Sequence, residues 1–376
     1  MHKHRLYEVD ILRGMTFLAI VVQHVLAVFL YNPRLTTADA LVSAIVLVFI
    51  RYAVPMFILI TGLVLFYNHG EGDFHYGTFL RKRFTQIFIP YTIWTLIYYL
   101  WSGIFPGSAS GLLADWGRLI LSGEACYHLW FMVAIMQFYL LYPFFRWLLL
   151  RFKDNPAPVL TIGFLAYVGL MWFNTDGAPA LYAQTANPWL KTLLAYRDRL
   201  FISWFFYFIL GGYAGIHARK LRIVLRYMQK RNIYVYLLSF LLVVGAVIGT
   251  GKISSTGAYQ YNFLFTLPLT PLMVVYLTSS LLTIYYWALK YFRKDHLYTK
   301  LMKTFGRYSY GCYFVHAMLL SYCTALLNTY WPGITPLAFL AVAFAACSAS
   351  SLAACYLISL VQIPTGNLLV GRIPKS

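Results

Sequence analysis

The strongest constraint on this chain is the recurrence of apolar runs about as long as a bilayer is thick. One helical crossing needs about 20 mostly apolar residues. Ten such runs are present, at 11–31, 43–67, 84–104, 129–149, 159–174, 200–218, 234–250, 267–289, 308–328 and 337–361. Of the 376 residues, 61% are hydrophobic and only 11% charged, whereas soluble domains carry about 45–50% apolar and roughly 25% charged residues. A water-soluble enzyme of this size would lack the charge to cover its surface. A disordered chain is excluded by the same apolar content. The expectation is an all-α, polytopic integral membrane protein of about ten transmembrane helices. It forms a single domain over 1–376, with no appended soluble domain.

The charges test that count. There are thirty Lys and Arg against eleven Asp and Glu, a balance that by itself suggests nucleic acid. The cations, however, sit in short clusters between the apolar runs, which is the pattern of cytoplasmic loops. With ten crossings, twenty-two cations fall on the side of the termini. Six fall on the other: Arg34, Arg118, Lys191, Arg197, Arg199 and Lys252. Arg13 and Arg51 lie inside spans. This segregation predicts an N-in, C-in protein of the cell membrane and no nucleic-acid partner. Asp10, Arg13 and His24 interrupt the first apolar run, so it is expected to be a retained helix rather than a cleaved signal. Two outer loops, 103–127 and 175–199, are long enough to hold structure, the first with an interfacial or re-entrant helix. No internal repeat is evident.

The first run carries the most chemistry. Arg13 and His24 are eleven residues apart, so on a helix they share one face about 16 Å apart along the axis. Asp10, three residues before Arg13, can pair with it. Intramembrane ionisable groups face a cavity or a partner. This stripe is therefore either a lined path or an Asp10–Arg13 clamp with His24 bonded to a neighbouring helix. Arg51, in the second run, either snorkels or meets an acid. His69 and His75 have poor metal spacing, and the five cysteines form no ligand or disulfide framework, so no metal is expected.

These residues, with others, resemble the acyltransferase-3 family of integral-membrane acyltransferases. The resemblance rests on Asp10-x-x-Arg13-Gly14 with His24 following, and on Phe79-Leu80-Arg81-Lys82-Arg83 through Pro90-Tyr91. It rests also on Tyr127-His128-Leu129-Trp130-Phe131 with Tyr139-Leu140-Leu141-Tyr142-Pro143, and on Ser309-Tyr310-Gly311-Cys312-Tyr313-Phe314-Val315-His316. Together they run in order from residue 8 to about 320. The flavour is similar to the polysaccharide-modifying, intercellular-adhesion-type branch. One position departs: many members carry a second Arg three residues after the one matching Arg83, where this chain has Gln86.

The resemblance implies movement of an acyl group, commonly acetyl, from cytoplasmic acyl-CoA to a hydroxyl of an extracytoplasmic carbohydrate. A neutral imidazole at His24 suits this as base or as transient acyl carrier; the two stay open. Polyanionic CoA is expected to meet Arg13, Arg81, Lys82 and Arg83, a cluster that also serves as an ordinary positive-inside anchor. His316 and Tyr313 are assigned to the same path, unless His316 is a hydrogen-bonded packing residue; His128 is assigned to the acceptor, unless it is an interfacial histidine. Glu124 and His128, four apart, share a face if helix extends that far. Glu124 then orients an acceptor hydroxyl, or is simply a solvated loop acid. Trp116, Trp130 and Tyr127 either stack on sugar rings or belong to the interfacial aromatic belt. Two other readings remain: an exporter of polysaccharide or lipid-linked glycan, and an acyltransferase for a small lipid or amino-acid acceptor.

Overall fold

The computed structural model describes residues 5–29, 36–70, 72–105, 108–253, 259–360 and 369. Lys3, Arg34, Arg372 and Lys375, and the expected span ends at 31 and 361, lie outside them. The described residues form sixteen α-helices and one short hairpin, Lys252–Ile253 with Tyr259–Gln260. In order the helices are α1 (Tyr7–Phe29), α2 (Thr37–Ile50), α3 (Ala53–His69), α4 (Tyr76–Arg83), α5 (Ile89–Ser102), α6 (Ala109–Ser122), α7 (Trp130–Leu140) and α8 (Tyr142–Arg151). They continue with α9 (Ala157–Trp172), α10 (Ala178–Gln184), α11 (Pro188–Ala195), α12 (Phe205–Ile216), α13 (Ala218–Gly249), α14 (Pro271–Tyr291), α15 (Leu297–Tyr330) and α16 (Pro336–Leu360).

Each of the ten expected runs is helical, but they are not ten full-length crossings. Among the described residues seven helices are long and apolar enough to cross a membrane, eight if the bent pair α7–α8 is one span. The α7–α8 bend of 58° falls just before Pro143, which lacks an amide hydrogen and crowds the residue preceding it. The other two runs give α5, of 14 residues, and α12, of 12. At 1.5 Å per residue α12 does not cover a hydrocarbon core of about 30 Å alone, whereas α5 continues without a break from α4 through a π turn, Phe84–Phe88. Two boundaries also move. The run expected at 234–250 belongs to a helix that starts at Ala218, and the one at 308–328 to a helix that starts at Leu297. Both extensions are rich in Lys, Arg and Leu, good helix formers that nothing interrupts. The outer loop expected to hold a helix does so, in α6.

Small residues set how the helices meet. A Cβ on Gly14 would collide with the main-chain carbonyl of Met302, and one on Gly306 with that of Asp10. α1 and α15 therefore touch backbone to backbone, the way transmembrane helices associate when packing must replace a hydrophobic driving force. The pairs Gly14–Met302, Phe17–Phe305 and His24–His316 rise together along both chains, so the two helices are parallel. Gly211 and Gly215 of α12 press in the same way on the carbonyls of Leu59 and Leu63 in α3, again in parallel. α13 and α14 run antiparallel through Asn232–Thr283 and Phe240–Tyr276, as do α15 and α16 through Tyr308–Tyr356 and His316–Cys347. α9 and α13 are the least enclosed of the long helices and form the periphery.

A Gly306→Ala substitution has no side-chain rotation that relieves its contact with the Asp10 carbonyl. It should destabilise the protein by about 1–3 kcal/mol, read as a lowered midpoint in thermal unfolding of the detergent-solubilised protein. Gly245→Ala, inside α13 where the added methyl meets open space, should not lower the midpoint.

Candidate active site

The α1–α15 contact places His24 against His316, with ring centroids 5.3 Å apart and nearly stacked. His128, in the turn before α7, sets its ring edge-on to His316 at 4.8 Å. Three imidazoles from segments far apart in sequence thus form one cluster. Tyr127 covers His24 at 4.6 Å, and Phe17 and Tyr98 pack on the rings of His316 and His128. His24 is half-buried, whereas His128 and His316 are enclosed.

Hydrogen bonds fix the ring of His316. Its Nδ1 lies 2.7 Å from the carbonyl oxygen of Tyr313. That oxygen can only accept, so Nδ1 carries the hydrogen and, in the neutral ring, Nε2 keeps its lone pair. Nε2 is buried without a protein partner, and so are both ring nitrogens of His128. Buried polar atoms of this kind are rare and call for an explanation. Tyr313 ties the cluster together by donating to the main-chain oxygen of His128 at 2.5 Å. Tyr98, from α5, enters the ladder of α15 itself. Its hydroxyl donates to the Phe314 carbonyl at 2.6 Å and accepts from the Met318 amide at 3.3 Å, two groups four residues apart around His316.

The N-terminal end of the α1 stripe is cationic. Asp10 receives Arg5 at 2.9 Å and Arg13 at 4.0 Å, while Glu8 pairs with Arg222 at 3.4 Å. The basic segment at the end of α4 divides. Arg81 and Lys82 are exposed, whereas Arg83 turns inward over the rings of Phe79 and Tyr139, at 5.2 Å from each. The Nε of Arg83 is buried and has no protein partner. A five-residue π turn, Phe84–Phe88, follows, and the carbonyl of Ile87 within it accepts from Tyr310 of α15 at 3.1 Å. A cleft of about 430 Å³ opens nearby at the α7–α8 bend, lined by Phe74, Arg146, Trp147 and Arg151.

The outer residues sort differently from the expectation. Helix does not extend back from Trp130 to Glu124, so Glu124 and His128 share no helical face. Gly123 ends α6 in a left-handed conformation (φ 71°), after which the chain turns. His128 goes to the imidazole cluster. Glu124 is engaged by Arg118 at 3.1 Å, Arg199 at 3.7 Å and the Tyr196 hydroxyl at 2.9 Å, and Arg199 also donates to the Ser122 carbonyl. Trp116 donates to the Thr92 carbonyl at 3.3 Å, and Trp130 stacks on Trp204 at 5.7 Å. Among the described residues no group of three His, Cys, Asp or Glu is arranged to hold a metal ion; His24 stacks on His316, while His128 meets it edge-on.

The sequence reading missed Tyr98, Phe17 and Cys347, whose thiol donates to the His316 carbonyl at 3.4 Å. Apolar context gave no signal for them. It did name His24, His128, His316 and Tyr313, but without the contact that joins them.

An all-α bundle with polar groups gathered inside its apolar helices is a multi-pass integral membrane protein with an intramembrane site. The chain belongs to the acyltransferase-3 family: the family's model, described as an acyltransferase domain, matches residues 6–359. It is also similar to a probable poly-beta-1,6-N-acetyl-D-glucosamine export protein of Staphylococcus epidermidis. The two are 23% identical over 332 residues, which is 88% of this chain and 85% of that protein. The same holds for the protein of that name from a second record of the species, strain RP62A. No solved structure matches.

Burial raises the Glu124 carboxyl, but the Tyr196 hydrogen bond and the charges of Arg199 and Arg118 outweigh it. The folded carboxyl therefore sits below its ordinary value of 4.5. A lowered carboxylate contributes stability that is fully present above the unfolded value and lost as pH falls through the folded one. Glu124→Gln should thus lower the melting midpoint at pH 7, and the difference from wild type should shrink to nothing in a melt series carried well below pH 4.5.

Proposed function

We propose that this protein transfers an acyl group, acetyl in the simplest case, from cytoplasmic acyl-CoA to a hydroxyl of an extracytoplasmic polysaccharide or other envelope glycan. The observation that carries the reading is the stripe on α1: an arginine-rich inner end, and about 16 Å further along an imidazole cluster with unsatisfied nitrogens. Arg13 and Arg83, with Arg81 and Lys82 at the mouth, suit the phosphates of CoA. The extended pantetheine arm then carries the thioester toward His24. Gln86, where many relatives have Arg, leaves Arg83 as the inward cation of its segment.

His24 is the reachable imidazole of the three. As base it takes the proton of the acceptor hydroxyl while the hydroxyl oxygen bonds to the acyl carbon. The carbon–sulfur bond then breaks and the thiolate of CoA receives the proton. As carrier, its nitrogen holds the acyl group between donor and acceptor. The bundle acts as one domain over 1–376, in the plasma or inner membrane. Helix directions support an alternating ten-segment path with N-in and C-in ends. The parallel pairs α1–α15 and α3–α12 join runs one and nine, and two and six; the antiparallel pairs join consecutive runs. The named relative supports a glycan acceptor, and no metal is required.

Purified protein in nanodiscs with acetyl-CoA should release free CoA in the presence of acceptor glycan. His24→Ala should lower that rate at least about 100-fold while the melting midpoint holds; normal turnover in this variant would remove His24 from the mechanism. The relative's printed name favours a second reading, export of the glycan without acyl transfer. Mass spectrometry of glycan from cells with and without the protein separates the two. Loss of O-acyl groups from glycan that still reaches the surface supports transfer; fully acylated glycan retained inside the cell supports export.

A further inference from the structure

Arg51 stands between α2 and α3, where the two helices meet. The lipid-facing side of α2 is marked by Val42, Ile45 and Phe49, all exposed. Arg51 is two residues beyond Phe49, about 200° further round the helix, and so points to the interior. Its Nη2 donates to the Thr266 hydroxyl at 2.9 Å, while its Nε is buried without a protein partner. Among the described residues no carboxylate pairs with it. An unpaired guanidinium at membrane depth is costly and marks a functional position.

Its depth matches that of the imidazoles. Arg51 is eighteen residues from the inner end of α3 at His69, and His24 is seventeen from the start of α1 at Tyr7. α1 packs on both α2 and α3. The cluster around His24 contains imidazoles, phenols and a thiol, but no carboxylate. Arg51 is the fixed charge beside it. A centre of neutral bases with one positive charge and no negative one is built to receive negative charge.

We infer that Arg51 stabilises the oxyanion formed on the acyl carbonyl, a role that rests on the acyl-transfer reading. When the acceptor oxygen, or the His24 nitrogen, bonds to the acyl carbon, the carbonyl electron pair moves onto oxygen and the guanidinium donates to it. When the carbon–sulfur bond breaks, the pair returns to the carbonyl and sulfur leaves as the CoA thiolate. Arg51 neither gains nor loses a proton. The sequence offered it only as a snorkelling or acid-paired cation.

The test uses the whole protein in nanodiscs with two inert thioethers, carboxymethyl-CoA and ethyl-CoA. The first carries negative charge where the acyl carbonyl would sit. Wild type should bind it about tenfold more tightly than the second, and Arg51→Gln should bind both equally. With acetyl-CoA, Arg51→Gln should lose about 100-fold in kcat with KM within about threefold. Arg51→Lys, which keeps a cation, should retain part of the preference and serves if the Gln variant does not fold. Thr266→Val, which removes the tie of Arg51 to the turn Phe263–Thr266 and leaves the guanidinium in place, should keep the preference and most of kcat. A preference surviving in Arg51→Gln overturns the inference, as does an equal loss in Thr266→Val, which makes Arg51 a structural strut. Failure of wild type to bind either thioether overturns the acyl-CoA reading itself, and is recognisable because it does not depend on residue 51.

Discussion

The close passage of α1 over α15 governs the rest. Two glycines, one on each helix, let the backbones touch at the inner end, and from there the two helices climb side by side in the same direction. Each presents a histidine ten residues beyond its glycine, His24 after Gly14 and His316 after Gly306. Equal rise on parallel helices brings the two rings to one level. The imidazole contact is thus a consequence of where the side chains are missing, ten positions away, as much as of the histidines themselves.

Electrostatics divides the site along the same axis. At the inner end, cations outnumber acids: Asp10 serves two arginines, and Arg83 rests on aromatic rings with a free N–H. At the outer surface the reverse care is taken, since Glu124 is held by two arginines and a phenol. Between them, among the described residues, Arg51 is the charged side chain set into the bundle. Charge in a low-dielectric interior acts over a longer reach than at a surface, so so sparse a placement makes each group felt.

Much of this was legible in the sequence, and the reason is periodicity. Apolar runs fixed the fold class and located every helix of the membrane domain, and an eleven-residue spacing put Arg13 and His24 on one stripe. What escaped depends on quantities that a linear pattern does not carry. Of the ten crossings expected, seven or eight helices are long and apolar enough among the described residues, because an apolar run reads as a span whether or not Pro143 bends it or, as at α12, the helix within it is short. His316 was assigned to the same path as His24, but their contact was not legible, because which residues of two helices meet depends on how the helices pack and not on spacing within either. Glu124 and His128 were paired by spacing because Gly123 was not read as a helix terminator, although it is the residue that takes a left-handed turn there.

The intrusion of Tyr98 into α15 has a mechanical meaning. An ordinary helical turn is positioned by its own ladder of amide links, and a neighbour can slide past it. Here a phenol that belongs to another helix bonds both ends of one rung, and a second phenol, Tyr310, reaches back from α15 to the Ile87 carbonyl at the foot of that helix. The two struts cross in opposite senses. α5 cannot shift along its length without dragging the turn that bears His316, so the basic segment leading into α5 and the imidazole near the far surface move as one piece.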